Sequence, residues 1–294
     1  MRRAAIRDLP FKHNTRPGLG FEVFRLAELF ARKLDHALDA PTRPDFHIVY
    51  VGLRGSGSLI VDFTAVPLGA GWLTIVARGR VQQFVPAAGI DAWMLLVTPE
   101  FIELDRRSID PLRGASVVDP SWPSPALRLA SIDRNEMVLL AEQLVAEQAR
   151  ALDAVQPALM ASLLRAILLR AERLARAADP RPAPAPALAR FFTTLESDCT
   201  STRSVAHYAK AAGLSPRRLA ELLVEHTGKS TKQIIDDRVV LEHKRLLAHT
   251  DASVKELADR TGFAEPTNLV KFFRHHTGMT PLEFRRNLPS ARRS

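Results

Sequence analysis

The 294-residue sequence predicts an α+β protein of two domains, a strand-rich N-terminal half with trailing helices and an all-α half built from one helical module used twice. Three observations predict it. Short β-rich runs punctuated by glycine fill residues 46–103, the hydrophobic period turns helical from Ile132, and a motif near the C-terminus recurs at a spacing of about 50 residues.

Composition narrows the class. A hydrophobic content of 46% is that of an ordinary globular chain, and no window approaches the roughly 18 to 20 unbroken apolar residues of a membrane span. The opening residues Met1–Asp8 carry charge but no apolar run, so neither export nor a membrane partner is expected. A single cysteine, Cys199, excludes an intramolecular disulfide and fits a reducing cytoplasm. The formal charge of +9 favours an acidic partner such as nucleic acid. From Leu188 onward 18 Lys and Arg face 12 Asp and Glu, so the shorter C-terminal part holds most of the excess.

In chain order, residues 1–40 form a polar, irregular lead with short apolar runs at Phe21–Leu26 and Leu34–Leu38. The next runs read as strands: His47–Gly52, Leu59–Phe63, Val66–Gly71, Trp72–Val76, Val81–Phe84 and Trp93–Val97, with turn signals at Arg54–Ser58 and Arg78-Gly79. Many short strands at regular spacing suggest a sandwich or barrel whose interior holds a small ligand. The order resembles the cupin-like barrel that serves as sensor in bacterial regulators. Candidate effector-binding residues are His47, Tyr50, Arg54, Arg78, Gln82 and Trp93, although strand alternation places about half of any such set on the outer face. A catalytic metal barrel, the competing reading, needs imidazoles gathered on neighbouring strands, and residues 46–103 contain only His47. No cofactor or metal is therefore expected, and no enzymatic activity: phosphate loop, nucleophile elbow and clustered carboxylates are all missing from the sequence.

Two helical segments follow. Met137, Leu140, Leu144 and Val145 make one apolar stripe, and Leu159, Leu163, Leu164, Ile167, Leu168 and Leu174 another, with Pro157 between the segments. Their broad apolar faces are expected to pack on the barrel or to join two copies as a homodimer. Asp179–Ala187 alternates Pro and Ala, a semi-rigid extended spacer that divides a domain at 1–178 from one at 188–294.

In the C-terminal domain Ser204–Ala209, Gly213-Leu214-Ser215-Pro216, Leu219 and His226-Thr227-Gly228 are answered by Ser253–Ala258, Gly262–Pro266, Leu269 and His276-Thr277-Gly278. The offset is 49 residues before the turn and 50 after it, so one residue is added inside the second turn. Each copy reads as a short helix ended by Gly, a tight turn, and a second helix opened by Pro. That is the layout of a helix-turn-helix, whose second helix enters the DNA major groove, and on spacing alone a packing hairpin would read the same. A helix of about 17 residues from Ser230, opened by the capping box Ser230–Gln233, joins the copies. Further capping boxes are read at Ser253–Glu256 and Thr280–Glu283.

Gly262-Phe263, Pro266, Leu269, Phe272-Phe273-Arg274, His276–Pro281 and Glu283-Phe284-Arg285 together resemble the signature of the AraC/XylS family of bacterial transcription regulators, over about the last 100 residues. The resemblance implies two helix-turn-helix modules on successive major-groove segments of double-stranded DNA. It further implies an effector-binding, dimerising N-terminal half and activation through RNA polymerase. The base-reading positions it implies match Arg217, Arg218 and Glu221 in the first module and Thr267, Asn268 and Lys271 in the second, with Arg274, Arg285 and Arg286 on phosphates. Glu221 departs from the pattern, since the family commonly has Arg there. The adjacent His275 and His276 point in different directions on a helix and are expected to pack or cap rather than share a metal.

Overall fold

A computed structural model describes residues 6–13, 16, 19–31, 40–85, 87, 89–103, 126–178 and 185–288. The chain divides into two compact units, Arg7–Ala183 and Pro184–Ser294, the latter grouped with Met1–Ile6. Most of the Pro/Ala spacer and the Leu34–Leu38 run lie outside the described residues.

The first unit holds ten strands among its described residues: β1 (Arg7–Leu9), β2 (Phe21–Arg25), β3 (Thr42–Pro44), β4 (His47–Arg54), β5 (Ser56–Val61), β6 (Thr64–Gly69), β7 (Trp72–Val76), β8 (Gln82–Val85), β9 (Asp91–Val97) and β10 (Ala126–Arg128). They form two five-stranded sheets, ordered β1-β3-β8-β5-β6 and β10-β7-β4-β9-β2. Here the expectation of a barrel is corrected. Among the described residues no ladder joins one sheet to the other, so the strands stack as two layers. Short helices α1 (Leu26–Ala31) and α2 (Pro99–Glu103) follow β2 and β9, and the long helices α3 (Ser131–Gln148) and α4 (Gln156–Ala178) form a third layer.

Burial explains the layering. Ile48 and Tyr50 of β4 join Leu59, Val61, Val66, Leu68, Phe84 and Met94 between the sheets. Their neighbours Val49 and Val51 join Leu73, Ile75, Leu95 and the α3 and α4 residues Met137, Leu144, Leu164 and Leu168 on the other face. A strand covered on both faces reads as a continuous apolar run, as His47–Gly52 does. Gly52 is required there, because a Cβ would lie 1.6 Å from the Gly69 carbonyl oxygen. The β5–β6 hairpin turns at Asp62 and Phe63, both at positive φ (47° and 71°), inside the Leu59–Phe63 run read above as one strand. The turn is held by Asp62 Oδ1, which accepts from Val81 N at 3.0 Å. In the reverse sense, the Arg54–Ser58 signal narrows to Gly55 alone, with Ser56–Ser58 paired inside β5.

The second unit is helical: α5 (Pro186–Asp198), α6 (Val205–Ala212), α7 (Pro216–Thr227), α8 (Thr231–His249), α9 (Val254–Arg260), α10 (Pro266–Thr277) and α11 (Pro281–Asn287). One core runs through it, from Phe191 and Leu195 through Tyr208, Leu219, Leu223, Ile235, Val239 and Leu247 to Leu257, Leu269 and Phe273. Among the described residues no helix of either unit is long and apolar enough to cross a membrane.

Candidate nucleic-acid interface

The repeat in the sequence is a repeat in geometry. Each helix pair turns on a left-handed glycine, Gly213 at φ 72° and Gly262 at φ 67°. In the first turn Leu214 N donates to Ala209 O at 2.9 Å; in the second Phe263 N donates to Ala258 O at 3.0 Å. Pro216 and Pro266 then open α7 and α10, where a missing N–H costs nothing. Both helices end alike, on Gly228 (φ 71°) and Gly278 (φ 76°), with Thr227 and Thr277 donating back to Leu223 O and Phe273 O.

The helix starts differ in one respect. Ser215 Oγ accepts from Arg218 N at 3.2 Å, whereas Glu265, at the same place before α10, makes no side-chain cap bond. All three capping boxes read from the sequence are present. Ser230 pairs reciprocally with Gln233, Ser253 with Glu256 and Thr280 with Glu283. These bonds favour the carboxylate form and hold the Glu256 and Glu283 pKa values below the usual range.

The connecting helix α8 has 19 residues, a rod of roughly 28 Å at 1.5 Å per residue. It is fixed by buried polar groups as well as by apolar packing. Arg238 bridges Glu196 of α5 (2.8 Å) and Glu242 (3.2 Å), and Glu242 also accepts from the fully buried Arg245 at 3.1 Å. His243, buried among Phe263, Phe272 and Phe273, shares a 2.8 Å hydrogen bond with Thr261 Oγ1; burial pulls its pKa down to about 4, so it is neutral near pH 7. At the second turn Arg203 lies 3.8 Å over the Phe263 ring, and at the first Arg190 Nη2 donates to Ala212 O at 2.7 Å.

With Leu219 and Leu223 buried, α7 turns outward Arg217, Arg218, Glu221, Val224 and Glu225. With Leu269 and Phe273 buried, α10 turns outward Thr267, Asn268, Lys271, Arg274 and His275. The two sets correspond position by position at an offset of 50. All six expected base-reading residues therefore lie on the two outward faces. Sequence reasoning left out Val224, Glu225 and His275 and placed Arg274 elsewhere, although their spacing of seven or eight residues from Arg217 and Thr267 marks the same helical stripe. Of the three expected phosphate ligands, Arg286 is exposed, and Arg274 shares the α10 face with Lys271. Arg285 is instead half-buried, its guanidinium donating to Ala252 O at 2.5 Å and Leu247 O at 3.4 Å, where it ties α11 to the end of α8. His276 packs on Phe272 at 4.6 Å between ring centres and lies 3.7 Å from Asp236 of α8.

The six candidate effector residues fall into separate places. Tyr50 and Gln82 meet between the sheets, the phenol donating to Gln82 Oε1 at 3.1 Å, and burial pushes the phenol pKa up. Trp93 lies on the opposite, helix-facing side, with the Arg25 guanidinium 4.9 Å over its ring. Arg54 is exposed, 3.6 Å from the buried Asp91, which is also paired with Arg25. His47 is buried and its Nδ1 accepts from Arg78 N at 3.4 Å, while the Arg78 residue is half-buried. Among the described residues no group of three or more His, Cys, Asp or Glu converges as a metal site would.

Two helix pairs with glycine hinges, opened second helices and outward polar faces define a helix-turn-helix protein. A helix-turn-helix domain model matches residues 208–287, and the domain is of the AraC/XylS type. The regulator RipA of Corynebacterium glutamicum is 36% identical over 104 residues, 35% of this chain and 31% of RipA. The chain thus spans less than a third of that relative. The transcriptional activator RhaR of Cronobacter sakazakii is 25% identical over 276 residues, 90% of this chain and 95% of RhaR. An AraC-type regulator structure from Chromobacterium violaceum covers 36% of this chain and 96% of its own, at 23% identity and a TM-score of 0.33. These relatives are named as transcription regulators, not enzymes.

Proposed function

We propose that the protein is a sequence-specific transcription regulator that binds double-stranded DNA with both helix pairs, α7 and α10 entering successive major-groove segments. The observation that carries this is the position-by-position match of two outward faces on two copies of one hinge. An α8 rod of roughly 28 Å is of the order needed to set two reading helices one turn of duplex, about 34 Å, apart. Lys271 donates to guanine, Asn268 pairs with adenine and Thr267 contacts either. Arg274 adds charge on the same face, and Arg286 contacts phosphate. Domain boundaries at 178 and 188 place the reader after the Pro/Ala spacer.

The two-sheet unit acts as the control half, taking a small-molecule effector or pairing two copies through α3 and α4, and the regulator activates transcription with RNA polymerase in the cytoplasm. Its closeness over most of the chain to a relative named as an activator supports that sense of regulation. The test is selection of binding sites from a random duplex pool with the full-length protein. Two short motifs about one helical turn apart are expected, with affinity falling steeply in salt as counterions are released. Lys271→Ala should then lower affinity for the selected site by about 1–3 kcal/mol. Unchanged binding by that variant would remove Lys271 from the reading face, and failure to enrich any motif would remove the function.

A further inference from the structure

The two outward faces differ in charge. The α10 face carries Lys271 and Arg274 and no carboxylate. On α7 the position matching Lys271 is Glu221, whose Oε1 accepts from Arg217 Nε and whose Oε2 accepts from Arg218 Nη1, each at 3.1 Å. These two bonds draw the arginines together and leave the terminal Nη pair of Arg217 at the outer end of the side chain. A carboxylate beside base edges is repelled by every acceptor there and is satisfied only by an exocyclic amine. Adenine N6 and cytosine N4 are the two such donors in the major groove. Beside adenine N6 stand single acceptors on either side, N7 and thymine O4, whereas beside cytosine N4 stand two adjacent guanine acceptors, O6 and N7. A guanidinium fork next to a carboxylate matches the second arrangement.

We infer that the α7 module is a selector for a C·G base pair, with the Arg217 fork on guanine O6 and N7 and Glu221 both buttressing Arg217 and accepting from cytosine N4. The inference rests on the reading of α7 as a major-groove helix. Val224 extends it. It is 51% exposed at the position where α10 has Arg274, one turn beyond Glu221, and an apolar side chain there fits the C5-methyl group of a thymine neighbouring the C·G pair. Away from such a site Glu221 and Glu225 face phosphates and repel them, so α7 adds little to non-specific binding. The affinity for arbitrary sequence then comes from α10, and the first module contributes only when its base pair is present.

The experiment uses full-length wild type, Glu221→Gln and Lys271→Ala in parallel selections from a random duplex pool, followed by titration on the selected site and on its single-pair variants. Glu221 is exposed, and thermal unfolding of each variant checks that the fold is kept. The wild type should enrich one half-site containing an invariant C·G pair. Glu221→Gln should keep the other half-site, lose about tenfold discrimination at that C·G pair, and bind unrelated DNA more tightly with a steeper salt dependence. Lys271→Ala should weaken binding while leaving the C·G preference intact. A wild-type half-site without a C·G pair, or a Glu221→Gln protein that discriminates at that pair as the wild type does, overturns the selector assignment while the DNA-reading function stands. Failure of all three proteins to enrich any motif overturns both.

Discussion

The bond from Leu214 N to Ala209 O and the bond from Phe263 N to Ala258 O occupy the same place in the two helix pairs, at 2.9 and 3.0 Å. A few residues on, the matched outward positions are Arg and Thr, Arg and Asn, Glu and Lys, Val and Arg, Glu and His. The inward positions of both second helices are large and apolar, Leu219 and Leu223 against Leu269 and Phe273, whereas the outward positions differ in chemistry. What the pairs share is what a tight helix–turn–helix needs in order to fold: a residue free to take positive φ, a proline-opened second helix, and large apolar side chains at the crossing. What they do not share lies on exposed faces in the free protein, so it is open to be set by whatever each face meets. Under the proposed function, two faces held on one scaffold and charged differently are two different readers.

The comparison is broken most severely from inside. Leu219 and Leu269 are matched, fully buried positions. Either Leu→Ala change should cost about 2–5 kcal/mol of unfolding free energy, and the two costs should be alike if the crossings are the same. Denaturant melts of the two variants measure this, and a difference above about 2 kcal/mol, most of the range for such substitutions, would show that the copies have diverged in packing as well as on their surfaces.

The hinges are next. A Cβ at Gly262 would sit 3.0 Å from the Thr200 carbonyl oxygen, whereas at Gly213 its nearest neighbour is the Arg190 Nη2 at 3.4 Å, the end of a flexible side chain. Both substitutions carry the left-handed penalty of roughly 1–2 kcal/mol, but only Gly262→Ala also meets backbone. Gly262→Ala should therefore be the more destabilising in thermal melts, and equal losses would assign the whole cost to φ.

How far these features could be read in advance depended on their range along the chain. The capping boxes at Ser230, Ser253 and Thr280 and the glycine hinges are local, three or four residues wide, and they stand where the sequence puts them. The strands around His47–Gly52 and Trp93–Val97 are equally plain in composition. The Asp62-Phe63 turn is hidden because Phe63 does not advertise positive φ, and its stabilising bond comes from Val81, 19 residues away. The separation of the two sheets among the described residues depends on pairings between distant strands, which no local pattern encodes. On the candidate interface, Val224 and Glu225 lie beyond the positions that the family resemblance implies, although both lie on the stripe that Arg217 defines. Arg285 is the converse case. Its chemistry suits a phosphate, and only the tertiary structure brings it against Ala252 and Leu247.

The helix starts sharpen the comparison at smaller energies. Ser215→Ala should cost about 1 kcal/mol, the usual worth of a side-chain cap. Glu265→Ala should cost less, since Glu265 makes no cap bond and offers only its charge near the α10 N-terminus. Calorimetric melts of the pair measure the gap, and a larger loss at Glu265 would indicate a cap bond forming in solution.

Acid should separate the pairs most gently. The second pair is bracketed by Glu256 and Glu283, exposed carboxylates whose pKa values are lowered by the Ser253 and Thr280 bonds they accept. The first pair's opening cap, Ser204, has His207 rather than a carboxylate three residues on. A carboxylate with a depressed folded pKa stabilises fully above its unfolded value of about 4.3 and loses that contribution as pH falls through the folded one. Lowering the pH from 6 through about 4 should therefore lower the amide protection factor, which corrects exchange for its intrinsic pH dependence, at Ser253 and Thr280, whose N–H groups donate to those carboxylates, before it lowers that of Ser215 or Arg218. The expected effect is small because both glutamates are solvent-exposed, so it is a test of order rather than of size. Protection that fell at both pairs together would mean that the unit opens as one body and that the capping boxes set no local difference between the two helix pairs.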